Sequence, residues 1–235
     1  MSPYWIYYAA TFLFAFAQQN PWFALVAVGF FVLRPWLPDP VALFKNLSRI
    51  GRLREQAGMN SANVTARRDL GIAYLDLKMP RTALRYLDEA RALDPKSQEI
   101  AYLRGLALLR RGAYDDAVTA FGLAVGIDPE RGEPFSSTRE DERAFRRYGE
   151  AFLGAAKALE RLDRLAQAEQ ALEMSTGYNT SILEPWVRLA RVRERQGNSV
   201  GAKDARAEAR RTFRHLPGFM KRRQIGDYVR VIVGV

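Results

Sequence analysis

Apolar residues recur at intervals of three and four along the chain, and no alternating run occurs before the last ten residues. That spacing places apolar side chains on one side of an α-helix, whereas a half-buried strand would alternate. Helix ends are marked as well. Pro80 suits the first turn of a helix, and Gly112 and Gly197 suit the left-handed ends between paired helices. The pattern predicts an all-helical domain.

The helical pattern repeats every 34 residues. Blocks 64–97 and 98–131 superimpose, and a second pair of blocks starts at residues 149 and 183. The matched residues of the first two blocks are Leu70, Gly71, Tyr74, Ala83, Leu87, Ala90, Asp94 and Pro95, then Arg104, Gly105, Leu108, Ala117, Phe121, Ala124, Asp128 and Pro129. Residues 132–148 are out of phase. They predict an insertion loop and a capping signal, Ser137 with Glu140, that leads into an extended first helix of the third repeat.

These residues resemble the tetratricopeptide repeat (TPR) pattern, which has small residues where two helices touch and a proline at the turn to the next pair. The resemblance covers residues 64–212. It implies a superhelix, an α-solenoid of four repeats at 64–131 and 149–212, whose concave surface usually binds another protein. Repeats three and four depart from the pattern at Thr180, where the turn proline is missing, and at Arg206, where an aromatic residue is usual.

The resemblance also implies which residues line the binding groove, because the first helix of each TPR lines it. Carried over to this sequence, these residues are Arg68, Ile72, Tyr102, Leu106, Leu109, Arg110, Lys157, Arg161, Arg188, Arg191 and Arg195. The lysine and asparagine clamp of chaperone-binding members is absent. The groove changes from apolar in repeat two to basic in repeats three and four, which suits an acidic and apolar peptide or helix.

Residues 1–40 predict a membrane anchor with a proline-rich exit. Segments 4–17 and 22–33 carry no charge, and Gln18, Gln19, Asn20 and Pro21 separate them. Each segment reaches only about 20 Å as a helix, less than the ~30 Å of the hydrocarbon core. A hairpin that turns at Asn20 and Pro21 is favoured over a single kinked span or an interfacial helix pair. The predicted anchor residues are Trp5, Phe12, Phe14, Pro21, Trp22, Phe30, Phe31 and Trp36.

The net charge of +10 is concentrated towards the two ends of the chain. Basic residues after the anchor predict that the repeats lie on the cytoplasmic side of a membrane, and the resemblance to anchored bacterial TPR proteins implies the inner membrane. Residues 41–63 predict an amphipathic connector helix whose apolar stripe includes Ile50 and Leu53. Two placements of this helix remain open, on the lipid surface or against the first repeat.

Residues 213–235 form a basic and apolar tail. Lipid headgroups, an acidic protein, nucleic acid and plain solvent compete as partners of its basic cluster, and nucleic acid is disfavoured because no known motif appears. The cluster predicted to contact lipid or an acidic partner is Arg211, Arg214, Lys221, Arg222 and Arg223. The last apolar residues favour a strand by composition. They are expected to cover the last repeat or to bind the sheet edge of a partner.

The sequence offers little for catalysis. It contains no cysteine and one histidine, His215, which has no partner at the spacing of a metal ligand set or a catalytic triad. No catalytic residue, cofactor or metal site is therefore predicted. The expected function is a non-enzymatic membrane-anchored scaffold that recruits a protein partner. The alternative is a small structural subunit of a larger integral membrane complex.

Overall fold

The computed structural model describes residue 22 and residues 40–127, 147–178 and 181–233. Within these ranges the chain forms helices and no strand, so the predicted all-helical fold is confirmed there. The helices are α1 (Pro40–Met59), α2 (Val64–Asp76), α3 (Pro80–Leu93), α4 (Gln98–Arg111), α5 (Tyr114–Ala124), α6 (Tyr148–Arg161), α7 (Leu165–Tyr178), α8 (Glu184–Arg195), α9 (Ser199–His215), α10 (Gly218–Arg223) and α11 (Ile225–Val233).

Four helix pairs stack into a solenoid. The pairs are α2 with α3, α4 with α5, α6 with α7, and α8 with α9, and each second helix also packs on the first helix of the next pair. The pairs begin at residues 64, 98, 148 and 184, compared with predicted starts at 64, 98, 149 and 183. The third begins at Tyr148 after a turn at Arg147. The predicted capping signal before it, Ser137 and Glu140, lies outside the described residues.

Local signals fix several helix ends. The side chains of Asn63 and Ser97 accept hydrogen bonds from the backbone N–H groups three residues on, which satisfies donors that a helix start leaves unpaired. Gly112, with φ 86°, ends α4, and Gly197, with φ 81°, follows α8. Both were predicted from the sequence. In repeat one the turn instead places a non-glycine residue, Lys78, at φ 57°.

Close approach of the paired helices explains the glycines in the repeat pattern. A Cβ atom on Gly71 would lie 2.5 Å from the side chain of Leu87, and one on Gly105 would lie 2.7 Å from the ring of Phe121. The ring of Phe121 is fully buried and also reaches Gly154 of the next repeat, where a Cβ would overlap it. One aromatic side chain thus fills both the core of repeat two and its junction with repeat three.

The connector helix α1 covers the start of the solenoid. It packs on α2 and buries Ile50 and Leu53, while Arg49 forms an ion pair of 3.3 Å with Asp69. Of the two placements that the sequence left open, these residues take the one against the first repeat. No helix among the described residues is long and apolar enough to cross a membrane.

Of the predicted anchor segment 1–40, only Trp22 and Pro40 lie within the described residues, and Pro40 begins α1. Trp22 is helical and exposed.

The expectation of a strand-like tail is wrong. Residues 218–223 and 225–233 form α10 and α11, and α11 packs on α8 and α9 with Val231 buried. The ring of Tyr228 stacks on that of Phe213 with centroids 3.8 Å apart. Tyr228 and Val231 are three residues apart, which a helix brings to one face. Packing on the last repeat therefore outweighs the β-propensity of the valines, as tertiary context commonly does. Helix α11 thus lies against both helices of the last repeat, as a covering tail would.

Candidate functional site: the inner face of the first helices

The first helices of successive repeats lie side by side on one face of the solenoid. Helix α2 contacts α4, and α4 contacts α6, although a second helix separates each pair in sequence. Ion pairs between α6 and α8 continue the series. We call the surface formed by α2, α4, α6 and α8 the inner face. Most of the predicted groove residues belong to it.

An ion pair of Arg68 joins the first helices of repeats one and two. Its guanidinium lies 2.9 Å from a carboxylate oxygen of Glu99 on α4 and 3.0 Å from Asp69. Burial acts to lower the pKa of Arg68, but hydrogen bonds and charges from Asp69 and Glu99 outweigh it and raise that pKa above its ordinary value. Arg68 is thus a fixed cation that joins two repeats.

The link between repeats two and three is made by Tyr102. Its side chain is buried, and its hydroxyl donates a hydrogen bond of 2.8 Å to Glu150 on α6. The guanidinium of Arg147 lies over the ring, 5.6 Å from its centroid. Burial and the neighbouring Glu150 carboxylate both raise the pKa of Tyr102, so the phenol stays protonated and acts as a donor. The hydroxyl of Tyr102 therefore has a structural role, and its raised pKa does not favour its acting as a nucleophile or base.

The link between repeats three and four is a network of four charges. Lys157 of α6 lies 2.9 Å from Glu184 of α8, and Arg188 lies 3.0 Å from both Glu184 and Glu160. The side chain of Glu160 is only 10% exposed. Burial acts to raise the pKa of Glu184, but Lys157 and Arg188 outweigh it and lower that pKa. Burial acts to lower the pKa of Arg188, and the two carboxylates outweigh it and raise that pKa.

Arg195 adds a further contact at the end of α8. It forms an ion pair of 2.6 Å with Asp163, which lies in the turn after α6 and is well exposed. Four predicted groove cations, Arg68, Lys157, Arg188 and Arg195, are therefore paired with carboxylates of this chain. Much of the positive charge that the sequence assigned to the groove is balanced internally.

The remaining predicted groove residues are placed differently. Leu106, Leu109 and Ile72 are half-buried against the core, and Arg161 is exposed. Arg110 donates a hydrogen bond to the carbonyl of Leu75. It borders an open depression of about 570 Å³ whose other lining residues are Leu75, Asp76, Lys78 and Pro80. Arg191 lies beside Val187, Arg206 and Val231, between α8, α9 and α11.

The sequence analysis did not identify the carboxylate residues that pair with the groove side chains. The unrecognised residues are Glu99, Glu150, Glu160, Asp163 and Glu184. A usable signal was present, because the paired cation and carboxylate are separated by 31, 28 and 32 residues, slightly less than one repeat. Such spacing places opposite charges on neighbouring first helices.

The predicted basic cluster in the tail is mainly exposed. Arg211 pairs with Glu208 at 2.7 Å, and the ammonium group of Lys221 donates to the carbonyl of Arg214 at 2.8 Å. Arg214, Arg222 and Arg223 are exposed. Within the residues that the structure describes, no cluster of three or more His, Cys, Asp or Glu could hold a metal ion.

We expect the ion pairs of Glu184 with Lys157 and Arg188 to stabilise the fold at neutral pH and not in acid. Because the folded-state pKa of Glu184 lies below its ordinary 4.5, its contribution is complete above that value and disappears as pH falls through the folded-state pKa. Melting temperatures of the purified chain and of Glu184→Gln should differ most near neutral pH and converge as pH falls well below 4.5. Glu208→Gln, in an exposed pair, is the control and should differ little from the parent at any pH. A constant difference for Glu184→Gln would contradict the assignment.

Comparison with known proteins supports the TPR assignment. Residues 68–131 match the family model of the tetratricopeptide repeat. The structure of MamA residues 41 to the end, from Desulfovibrio magneticus RS-1, is 16% identical with a TM-score of 0.58 and covers 75% of this chain and 97% of its own. PilF from Pseudomonas aeruginosa is 14% identical with a TM-score of 0.57, over 73% of this chain and 75% of its own.

YrrB, a TPR protein described as having an unusual peptide-binding site, is 16% identical with a TM-score of 0.55, over 68% of this chain and 74% of its own. No curated protein sequence matches the chain. At these identities the likeness is one of fold. The described helices form an all-α solenoid of the TPR type, a fold associated with protein–protein interaction.

Proposed function

We propose that this protein is a non-enzymatic, membrane-anchored TPR scaffold that holds a protein partner on its inner face, at the cytoplasmic side of a bacterial inner membrane. The observation that carries the proposal is the inner face itself. Hydrogen bonds and ion pairs between side chains join the successive first helices of all four repeats there. Because these contacts already order the face, a peptide or helix that binds there does not have to spend binding free energy on ordering it.

The surface that remains for a partner is apolar with a few free charges. Leu106 and Leu109 supply half-buried apolar surface in repeat two, and Arg161 supplies an exposed cation in repeat three. In the described part of the chain no carboxylate pairs with Arg161. These features favour a partner segment with apolar anchors and a nearby acidic group. The peptide site described for YrrB, a protein of the same fold, is consistent with this role.

Membrane attachment rests on the sequence of the amino-terminal segment. Residues 4–17 and 22–33 are uncharged and rich in aromatic side chains, and basic residues follow them. Such segments enter the hydrocarbon region, and the flanking cations remain on the cytoplasmic side. The repeats would then stand next to the membrane and present the inner face to a partner there.

The test is co-purification from carbonate-washed membranes with three versions of the full chain. The parent, Arg161→Glu and Lys203→Glu should all remain in the membrane pellet, because the anchor is unchanged. Lys203 is an exposed cation on α9, a second helix, so its reversal is a matched control. Arg161→Glu should recover severalfold less of a partner identified with the parent chain, because like charges would oppose each other.

Two results would contradict the proposal separately. Release of the parent chain by alkaline carbonate would refute insertion of the anchor. Equal recovery of the partner with Arg161→Glu and Lys203→Glu would refute binding beside Arg161 on the inner face.

A further inference from the structure

The last two helices, α10 and α11, are held against the end of the solenoid by hydrogen bonds and apolar packing. Gln224, between α10 and α11, accepts a hydrogen bond of 2.8 Å from the backbone N–H of Leu183 and donates one of 2.8 Å to the carbonyl of Ser181. On α11, Val231 is buried and Tyr228 stacks on Phe213. These contacts fix which side of α11 faces the last repeat.

A neighbouring side of α11 is apolar and exposed. Its residues are Ile225, Val229, Ile232 and Val233, which are between 50% and 65% exposed. Val229 and Val233 follow Ile225 at intervals of four residues, and Ile232 lies three residues after Val229. These intervals place the four side chains along one stripe of the helix. The terminal unit of a solenoid normally presents a polar outer face, since no further repeat covers it. A stripe of four branched apolar side chains on a well-packed helix therefore indicates a surface that something else covers.

The exposed charges that directly precede this stripe in the chain are positive. Arg222 and Arg223 end α10 and are exposed, and Phe219 of the same helix is 68% exposed. Asp227 is the only acidic residue from 216 to 233, and it pairs with Arg230 at 3.0 Å. In the described part of the chain no carboxylate pairs with Arg222 or Arg223. Exposed apolar side chains beside unpaired cations are typical of helices that lie in the interface of an anionic membrane.

We propose that the outward stripe of α11, together with Arg222 and Arg223, docks into the headgroup region of a bilayer that contains anionic lipid. The arginines bind lipid phosphates, and Ile225, Val229, Ile232 and Val233 enter the boundary with the acyl chains. This inference rests on the proposed function only in that the chain is held at a membrane. It adds a second membrane contact, at the end of the solenoid opposite α1.

Charge and size favour a bilayer over the other occupants. A second copy would bring Arg222 and Arg223 of both chains together, which costs free energy unless an anion intervenes. A stable protein interface buries about 800 Å² on each partner with matched shape. Four side chains on a nine-residue helix offer a narrow stripe instead. A bilayer needs no such match, and basic residues near it gain from its surface potential.

The absence of cysteine makes a site-specific test possible in the full chain. A nitroxide attached to Ile232→Cys would report from the stripe, and one on Val200→Cys, which is 69% exposed at the start of α9, would be the control. Both chains would be reconstituted in phosphatidylcholine vesicles with or without phosphatidylglycerol. In the anionic vesicles the label at 232 should collide severalfold more with oxygen than with a water-soluble nickel chelate. The label at 200 should remain accessible to nickel.

Charge reversal separates lipid binding from general exposure. Arg222→Glu with Arg223→Glu in the Ile232→Cys chain should abolish the oxygen preference. Lys96→Glu with Lys203→Glu changes the net charge equally at two other exposed positions and should preserve it. Added salt should weaken the preference by screening.

Three results would overturn the proposal. A label at 232 that stays open to nickel in anionic vesicles would mean a solvated face. A label shielded from both reagents would mean a protein cover, either a partner or a second copy. An oxygen preference that survives the Arg222 and Arg223 reversal would mean that these cations do not direct docking. None of these measurements depends on partner recovery, and a failed anchor would appear instead as release of the chain by carbonate.

Discussion

Replacing Phe121 with alanine is expected to lower the free energy of unfolding by about 3–5 kcal/mol. The ring is fully buried and lies against Gly105 of its own repeat, Gly154 of the next repeat and the ring of Tyr102. Removing it leaves a cavity that the glycines cannot fill, because they have no side chains to move into it. The loss also weakens the junction between repeats two and three, on which stacked repeats depend.

The chain supplies a matched control in Phe219, which is 68% exposed. Phe219→Ala removes the same atoms and should change the free energy of unfolding by about 0.5 kcal/mol or less in the absence of vesicles. Denaturant titration followed by far-ultraviolet circular dichroism measures both changes. Similar losses for the two variants would contradict the assigned packing of Phe121.

Replacing Arg188 with alanine is expected to cost about 1.5–3 kcal/mol, the range found for hydrogen bonds to charged groups. Arg188 holds Glu160 and Glu184 together across the junction of repeats three and four. Because Glu160 is nearly buried, its carboxylate would lose its cation without gaining full access to water. The same titration measures the loss.

Two further variants identify the cause. In an Arg188→Ala chain, Glu160→Gln should restore part of the stability, since it removes the unpaired charge. Arg211→Ala breaks a pair of exposed residues on α9 and should change stability by about 0.5 kcal/mol or less. If Arg188→Ala were no more harmful than Arg211→Ala, the inner-face network would contribute nothing to the fold.

The sequence predicted the parts of this protein that depend on local periodicity. The 34-residue period placed the helix pairs, and the matched small residues Ala83 and Ala117 are fully buried. Gly112 and Gly197 were recognised because a left-handed turn has a local sequence signature.

Contacts between repeats were harder to predict. The groove cations were identified, but their carboxylate partners lie on neighbouring helices, so the groove was expected to be more basic than it is. The strand expected from the apolar residues at 228–235 was wrong for a related reason, since residues 228–233 are helical. Branched side chains favour a strand locally, whereas the stacking of Tyr228 on Phe213 and the burial of Val231 fix a helix. Neither contact can be derived from residues that are adjacent in sequence.

The contact between Phe121 and Gly154 bears on whether the repeats are interchangeable. In the 34-residue alignment the position of Gly154 is occupied in repeat two by Leu103, and the position of Phe121 is occupied in repeat one by Leu87. A leucine at position 154 would collide with Phe121, because even a Cβ there overlaps the ring. Repeats two and three therefore pack together only because a glycine in repeat three leaves room for the large ring from repeat two. The order of units in this solenoid is encoded in side-chain size, so the array could not be shuffled or extended by copying one unit without redesigning the junction.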